Sequence, residues 1–250
     1  RLHLYHALER AFALLGRGAD PLATRDGTLM SRVAAERSIP LGSPLYERGL
    51  AQFRGNLARL LQRYRAAGVP VFIGTLASNE RDQPPFVSAP PEAGESSALV
   101  RFERARELEA SGDNTAARAE YLAASDRDEL RFRAPQAFNA VIRETAEAAG
   151  ATVVDVQAAL AAASSNGIIG ACLMLEHVHP NVEGYFQLAS VYSPELVQWA
   201  GPAAVVVDDA TARVEIPVTE VDRLQGEYRV AMLKNDWPFV PKRRPTALPA

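Results

Sequence analysis

The stretch VPVFIGTL at residues 69–76 decides the fold class of this chain. It is a short apolar run rich in β-forming residues, which is typical of a strand buried on both faces of a parallel sheet. An amphipathic helix precedes it, beginning at Ser43-Pro44 and ending at Gly68. The apolar stripe of that helix is Leu50, Phe53, Leu57, Leu60 and Tyr64. A helix, a glycine and a doubly buried strand predict an α/β fold.

The same order of elements occurs a second time. A helix over 135–149 ends at Gly150, and ATVVDV at residues 151–156 follows as a second buried-strand candidate. We therefore expect 69–76 and 151–156 to be parallel members of one sheet. Between them, residues 78–97 are polar and proline-rich and predict a long loop.

Residues 97–133 predict a pair of helices that meet at Gly112-Asp113. Small and aromatic residues are spaced as in one tetratricopeptide repeat: Leu108, Gly112, Ala117, Tyr121 and Ala124. Such arrays need about three repeats to bury a continuous core. The segment is therefore either the last of several copies or a helical hairpin inserted into the α/β fold.

The two ends of the chain are predicted from the same kinds of pattern. Apolar residues over 2–15 predict an amphipathic helix, and a further helix is expected over about 182–199. Residues 203–207 and 213–216 suggest a β-hairpin, and a helix capped by Thr219 follows before an extended tail. The predicted divisions are an α/β portion (1–96), an inserted hairpin (97–133), a second α/β portion (134–200) and a C-terminal extension (201–250).

Composition excludes several classes of function. The 250 residues include 27 Lys and Arg against 30 Asp and Glu, a net charge of -3 that gives no reason to expect nucleic-acid binding. The longest apolar runs fall far short of the roughly 20 residues of a membrane span. The single Cys172 excludes an internal disulfide and a cysteine-rich zinc site.

The most informative segment for function is EHVHPNVEGY at residues 176–185. A carboxylate three residues before a histidine, in a loop ahead of a helix, can hold one imidazole nitrogen while the other faces a substrate. The spacing predicts that the Glu176 carboxylate reaches a ring nitrogen of His179, with the other nitrogen facing a cleft beside residues 77–86. The alternative is a helix-start loop with solvated side chains.

This segment resembles the last conserved block of the SGNH (GDSL-type) hydrolases, Asp-x-x-His-Pro-Asn-x-x-Gly-Tyr. Residues 153–156 are similar to the strand before that block, and 53–75 are similar to the helix and strand after the family's Gly-x-Asn block. The run GTLASNERDQPPF at 74–86 resembles a bacterial subgroup that also contains tetratricopeptide-type helices. The resemblance covers about 43–200 and implies a three-layer α/β/α fold, here partial, with the helical hairpin inserted.

The resemblance implies a serine esterase or acyl hydrolase in which His179 is the base and Glu176 its orienting acid. Glu176 stands where most members have Asp, which preserves the carboxylate. The Gly-Asp-Ser-Leu block and the Gly and Asn blocks of the oxyanion hole are absent, so we expect the nucleophile in a missing N-terminal part. Without it, this chain should be inactive.

The resemblance also implies partners and a location. We expect an ester of a small molecule or carbohydrate as substrate, and no metal or other cofactor. The subgroup leads us to expect a signal peptide or anchor, and so a protein outside the cytoplasm. The rival hypothesis is a non-catalytic interaction protein that binds a protein partner through residues 97–133.

Other polar residues near the first strand are weaker candidates. Ser78 follows that strand, but no Gly-x-Ser-x-Gly sequence surrounds it. Asn79, Arg81 and Asp82 are candidate substrate-binding residues, since Asn donates to an oxyanion and Arg binds carboxylates; the alternative is a loop held by its own Arg–Asp pair. His177 and His179 are a poor metal pair because Pro180 ends any strand there.

Overall fold

Two short parallel strands lie at the centre of the protein, whose computed structural model describes residues 38–240. β1 (Phe72–Gly74) pairs with β2 (Thr152–Val154), with Phe72 opposite Thr152 and Gly74 opposite Val154. The predicted parallel pairing is confirmed, although both predicted strands were too long. The predicted helix over 2–15 and the tail over 241–250 lie outside the described residues.

Helices make up most of the remaining described chain. The α-helices are α1 (Pro44–Ala66), α2 (Ala98–Ala110), α3 (Asn114–Arg127), α4 (Gln136–Ala149), α5 (Val156–Ala162), α6 (Val182–Ala200), α7 (Asp209–Val214) and α8 (Glu220–Lys234). Single 3₁₀ turns occur at Pro91–Ser96, Ser165–Gly167 and Gly201–Ala203. The content is therefore mainly helical around a small parallel sheet. None of these helices has the length and apolar character needed to cross a bilayer.

Side-chain hydrogen bonds explain why both strands end early. Beyond β1, the Leu76 amide donates to Asn139 Oδ1 at 2.7 Å instead of continuing the ladder. Beyond β2, Asp155 becomes the N-cap of α5 and accepts from the Ala158 amide at 3.3 Å. Val156, predicted as the last strand residue, is therefore the first residue of a helix.

Helices cover both faces of the strand pair. On one face, Ile73 and Val153 contact the α1–α4 interface, where Leu57, Leu61 and Ile142 are buried. On the other face, Phe72 and Val154 pack with apolar residues of α5, α6 and the segment between them: Leu160, Ile169, Leu173, Met174, Leu188 and Val191. Neighbouring strand residues thus point to opposite helical layers, as the doubly apolar sequence requires.

The predicted helical hairpin is present as α2 and α3. Phe102 and Tyr121 meet edge to face with ring centroids 5.3 Å apart, and Ala105, Ala117 and Ala124 are buried beside them. Small residues let the two helices approach closely, and the aromatic rings fill the remaining space. Ile168, which lies outside the hairpin and just before the candidate site, completes this cluster.

The predicted β-hairpin at 203–207 and 213–216 is wrong. Residues 204–208 have no regular structure, and Arg213 belongs to α7. Asp208 accepts hydrogen bonds from the Thr211 amide at 3.0 Å and its hydroxyl at 2.7 Å, so the sequence after the valine run starts a helix. An isolated two-stranded hairpin is also marginally stable in water. The helix predicted after Thr219 is confirmed, with a capping box between Thr219 and Asp222.

Candidate functional site

The candidate site is a tight turn at residues 175–180, between the core and helix α6. The Leu175 amide donates to the His179 carbonyl at 2.8 Å, and Met174 and Pro180 form an antiparallel bridge. Asn181 then caps α6 by accepting from the Gly184 amide at 2.9 Å. At Gly184 a Cβ would overlap the Leu173 carbonyl oxygen, so only glycine lets α6 start this close to the turn.

Glu176 holds the turn and the His179 ring together. Its buried carboxylate accepts from the backbone amides of His177 at 2.9 Å, Val178 at 3.4 Å and His179 at 2.7 Å. The same carboxylate contacts His179 Nδ1 through Oε1. The predicted contact between the acid and the histidine is therefore confirmed. One buried carboxylate fixes both the backbone of the turn and the direction of the imidazole ring.

The rest of the His179 side chain faces solvent. It is 62% exposed, and its only ring-nitrogen contact among residues 38–240 is the one between Nδ1 and Glu176. Nε2 is thus available to a group that reaches the turn from outside. This arrangement is chemically suited to an oriented general base. A cleft beside residues 77–86 stays a prediction, but the turn and this loop are joined by the Asn79 amide, which donates to the His177 carbonyl at 2.9 Å.

His177 is a buried neighbour of the site that the sequence analysis considered only as a metal ligand. The rings of Phe86, Phe132 and Phe239 surround it, with centroids 5.4, 5.8 and 5.4 Å away. Its Nδ1 lies against Glu176 Oε2 in a direction that does not meet hydrogen-bond geometry. Burial, with smaller contributions from the charges of Arg133 and His179, lowers the pKa of His177 to about 4. His177 is therefore neutral at pH 7.

This depressed pKa predicts that the protein loses stability in mild acid. The ordinary pKa of histidine is 6.5, so between about pH 6.5 and 4 the unfolded chain binds a proton that the folded His177 refuses. Stability from this group is present above pH 6.5 and falls as the pH drops, by about 2 kcal/mol once solvent screening is allowed for. Urea unfolding at pH 7.5, 6.0 and 4.5 measures the slope. His177→Phe should flatten it, and an unchanged slope would contradict the assignment.

Asn79, Arg81 and Asp82, the predicted substrate-binding residues, all make bonds within the protein. Asn79 is buried and accepts from the Asp82 amide at 2.8 Å, and Asp82 accepts from the Ala171 amide at 2.6 Å. Arg81 lies 3.5 Å from Glu109 of α2 and 3.5 Å from Asp82. These contacts hold the loop in place, as the alternative hypothesis expected. Substrate binding by the three residues stays a prediction.

The loop is also tied to α3 through Glu80, which the sequence analysis missed. Its buried carboxylate accepts from Arg118 Nε at 3.1 Å and Nη2 at 3.2 Å, and from the Ile169 amide at 3.3 Å. Burial raises the pKa of Glu80, and the hydrogen bonds and charge of Arg118 act in the opposite direction. No local pattern marks this pair, because Glu80 and Arg118 lie 38 residues apart.

A second buried ion pair supports the same loop from the other side. Arg133 donates to the carbonyls of Asn79 at 3.1 Å and Gln83 at 2.8 Å, and to Asp128 at 3.0 Å. Asp128 in turn accepts from the amides of Phe86 and Val87, each at 3.0 Å. The guanidinium and carboxylate are each 2% exposed. Residues 79–87 thus owe their conformation to charges that follow α3.

Ser78 and metal ions have no place in the described site. Ser78 is half-buried, and no hydrogen bond joins it to His179 among residues 38–240. Over the same residues, no three His, Cys, Asp or Glu side chains are grouped so that they could hold a metal ion. Comparisons with protein-family models, with curated proteins and with solved structures find no match to the chain. A functional hypothesis therefore depends on the turn and on the sequence resemblance.

Proposed function

We propose that this chain supplies the base and its orienting acid to a serine esterase or acyl hydrolase of the SGNH type. The observation that carries the proposal is the contact between the buried Glu176 carboxylate and Nδ1 of the exposed His179 ring. The contact occurs in the segment whose sequence resembles the final SGNH block. The parallel strands with helices on both faces are compatible with the α/β/α layers of that family.

In this mechanism His179 moves a proton between the nucleophile and the leaving group. Nδ1–H donates to Glu176, so the lone pair of Nε2 accepts the proton of a serine hydroxyl as its oxygen attacks the acyl carbon. The carboxylate stabilises the resulting imidazolium. Nε2–H then protonates the leaving alkoxide, and the same nitrogen activates the water that releases the acid from the acyl-enzyme.

The serine comes from outside residues 38–240 in this proposal, because none of the serines there meets His179. The oxyanion donors are likewise not identified among these residues. The substrate class is an ester of a small molecule or carbohydrate. Since the SGNH acid is usually Asp, the longer Glu176 side chain is the main departure, and its three backbone amide donors compensate by fixing the carboxylate.

The helical hairpin fits a supporting role better than the rival role of a free interaction module. Its apolar interior is already closed by Ile168, and Arg118 is paired with Glu80 of the loop. Arg81 of that loop reaches back to Glu109 of α2. These contacts favour a hairpin inserted into the hydrolase-like fold.

Hydrolysis of a short-chain aryl ester by the 250-residue chain and by the full-length gene product tests the proposal. We expect turnover by the full-length protein and none by this chain, because a base without a nucleophile and oxyanion donors does not attack an ester. A fluorophosphonate probe should label a serine of the full-length protein only. Turnover by the chain alone that disappears in Ser78→Ala would instead make Ser78 the nucleophile.

A further inference from the structure

An apolar groove of about 640 Å³ runs between the candidate site and helix α8. Residues 171–185 form one wall, and α8 with Val218 forms the other. Its apolar lining residues are Ala171, Met174, Leu175, Pro180, Val182, Tyr185, Val218, Val230 and Ala231, with Gly226 between them. This volume lies in the range of small-molecule sites, which are about 300–1,000 Å³ and mainly apolar.

The charges at the rim do not favour an ionic ligand. Glu183, Asp222 and Glu227 are opposed by Arg223 and Lys234, and Glu183 is already paired with Arg213 at 2.5 and 2.8 Å. A nearly balanced rim around an apolar interior suits a neutral ligand with a hydrocarbon portion.

The groove and the turn share residues. Leu175 and Pro180 line the groove and directly flank the turn that carries Glu176 and His179. The Leu175 amide also donates to the His179 carbonyl at 2.8 Å, so the groove wall and the base are one rigid unit. A ligand seated in the groove therefore has its end next to the turn.

We propose that this groove binds the acyl chain of the ester substrate. The inference rests on the proposed function for its choice of an acyl ester, and it extends that function by assigning a medium-length aliphatic chain. Each methylene buried in such a groove should raise affinity about fourfold, until the groove is filled.

Gly226 offers a clean way to block the groove. It lies within α8, lines the groove, and a Cβ at this position meets no atom within 4 Å. Gly226→Phe should fill the space while replacing a helix-weakening glycine. Gly226→Ala is the matched control, since it makes the same backbone change and adds little volume.

The experiment is calorimetric titration of the 250-residue chain with 1-octanoylglycerol and with 1-butanoylglycerol. We expect the octanoyl compound to bind at least tenfold more tightly, Gly226→Phe to weaken it at least tenfold, and Gly226→Ala to change it less than twofold. Circular dichroism and thermal unfolding establish that both variants are folded. Equal affinity for the two glycerides, or unchanged binding by Gly226→Phe, would overturn the inference. So would a dimer that Gly226→Phe dissociates, because a second copy would then fill the groove.

The inference and the proposed function fail in different ways. If octanoylglycerol binds as expected but the full-length protein hydrolyses no ester, the groove is an acyl-binding site and the hydrolase function is wrong. If the full-length protein hydrolyses esters with no preference for chain length, before and after Gly226→Phe, the hydrolase function stands and the groove inference is wrong.

Discussion

His179→Ala in the full-length protein is expected to lower kcat for ester hydrolysis by about 10³-fold or more. The reason is geometric: His179 is the exposed half of a buried acid–base pair, and no other imidazole at the turn is available, since His177 is buried among aromatic rings. KM should change much less, because the ring is assigned to proton transfer rather than to holding the substrate. Steady-state hydrolysis of an aryl ester gives both constants.

Ser78→Ala is the control for this experiment. Ser78 lies on the neighbouring loop and is not bonded to His179, so its removal should leave kcat within about threefold of the parent value. Activity that survives His179→Ala would exclude the hydrolase mechanism and favour the interaction module. Glu176→Gln should reduce kcat by less than His179→Ala, because the base remains while its orientation weakens.

Arg133→Ala is expected to destabilise the protein by about 3–5 kcal/mol. The substitution leaves the buried carboxylate of Asp128 without its counter-charge and removes the donor from the carbonyls of Asn79 and Gln83. An uncompensated buried charge is among the most costly changes available to a folded chain. Urea unfolding at pH 7.5 measures the difference in free energy of unfolding.

Arg54→Ala provides the matched control for a solvated ion pair. Arg54 and Glu144 contact one another between α1 and α4, but their side chains are 49% and 59% exposed. The cost should be below about 1 kcal/mol, because water replaces the lost partner. Equal losses for Arg133→Ala and Arg54→Ala would show that burial of the first pair contributes nothing measurable to stability.

Local sequence patterns predicted the features that depend on residues close together in the chain. The contact of Glu176 with His179 spans three positions, and backbone geometry in a tight turn leaves few ways to arrange them. The strands at 72–74 and 152–154 were recognisable because burial on both faces requires an apolar run. The helical hairpin was likewise marked by its own small and aromatic residues.

Features built from distant segments could not be predicted in this way. Glu80 and Arg118 carry ordinary charges in the sequence, and only the packing of α3 on the loop makes them partners. His177 acquires its low pKa from rings at positions 86, 132 and 239. The valine run at 205–207 was misassigned because β-propensity was read without the helix cap that Asp208 provides immediately afterwards.

The ties between the hairpin and the loop also set a limit on how this protein can be divided. Arg118 and Glu109 come from the hairpin, while their partners Glu80 and Arg81 lie beside the turn that carries His179. Excising residues 97–133 to obtain a minimal catalytic unit would strand two charged side chains and uncover Ile168. In protein engineering the hairpin is therefore part of the scaffold, and substitutions intended to redesign its surface are safest on the outward-facing positions of α2 and α3.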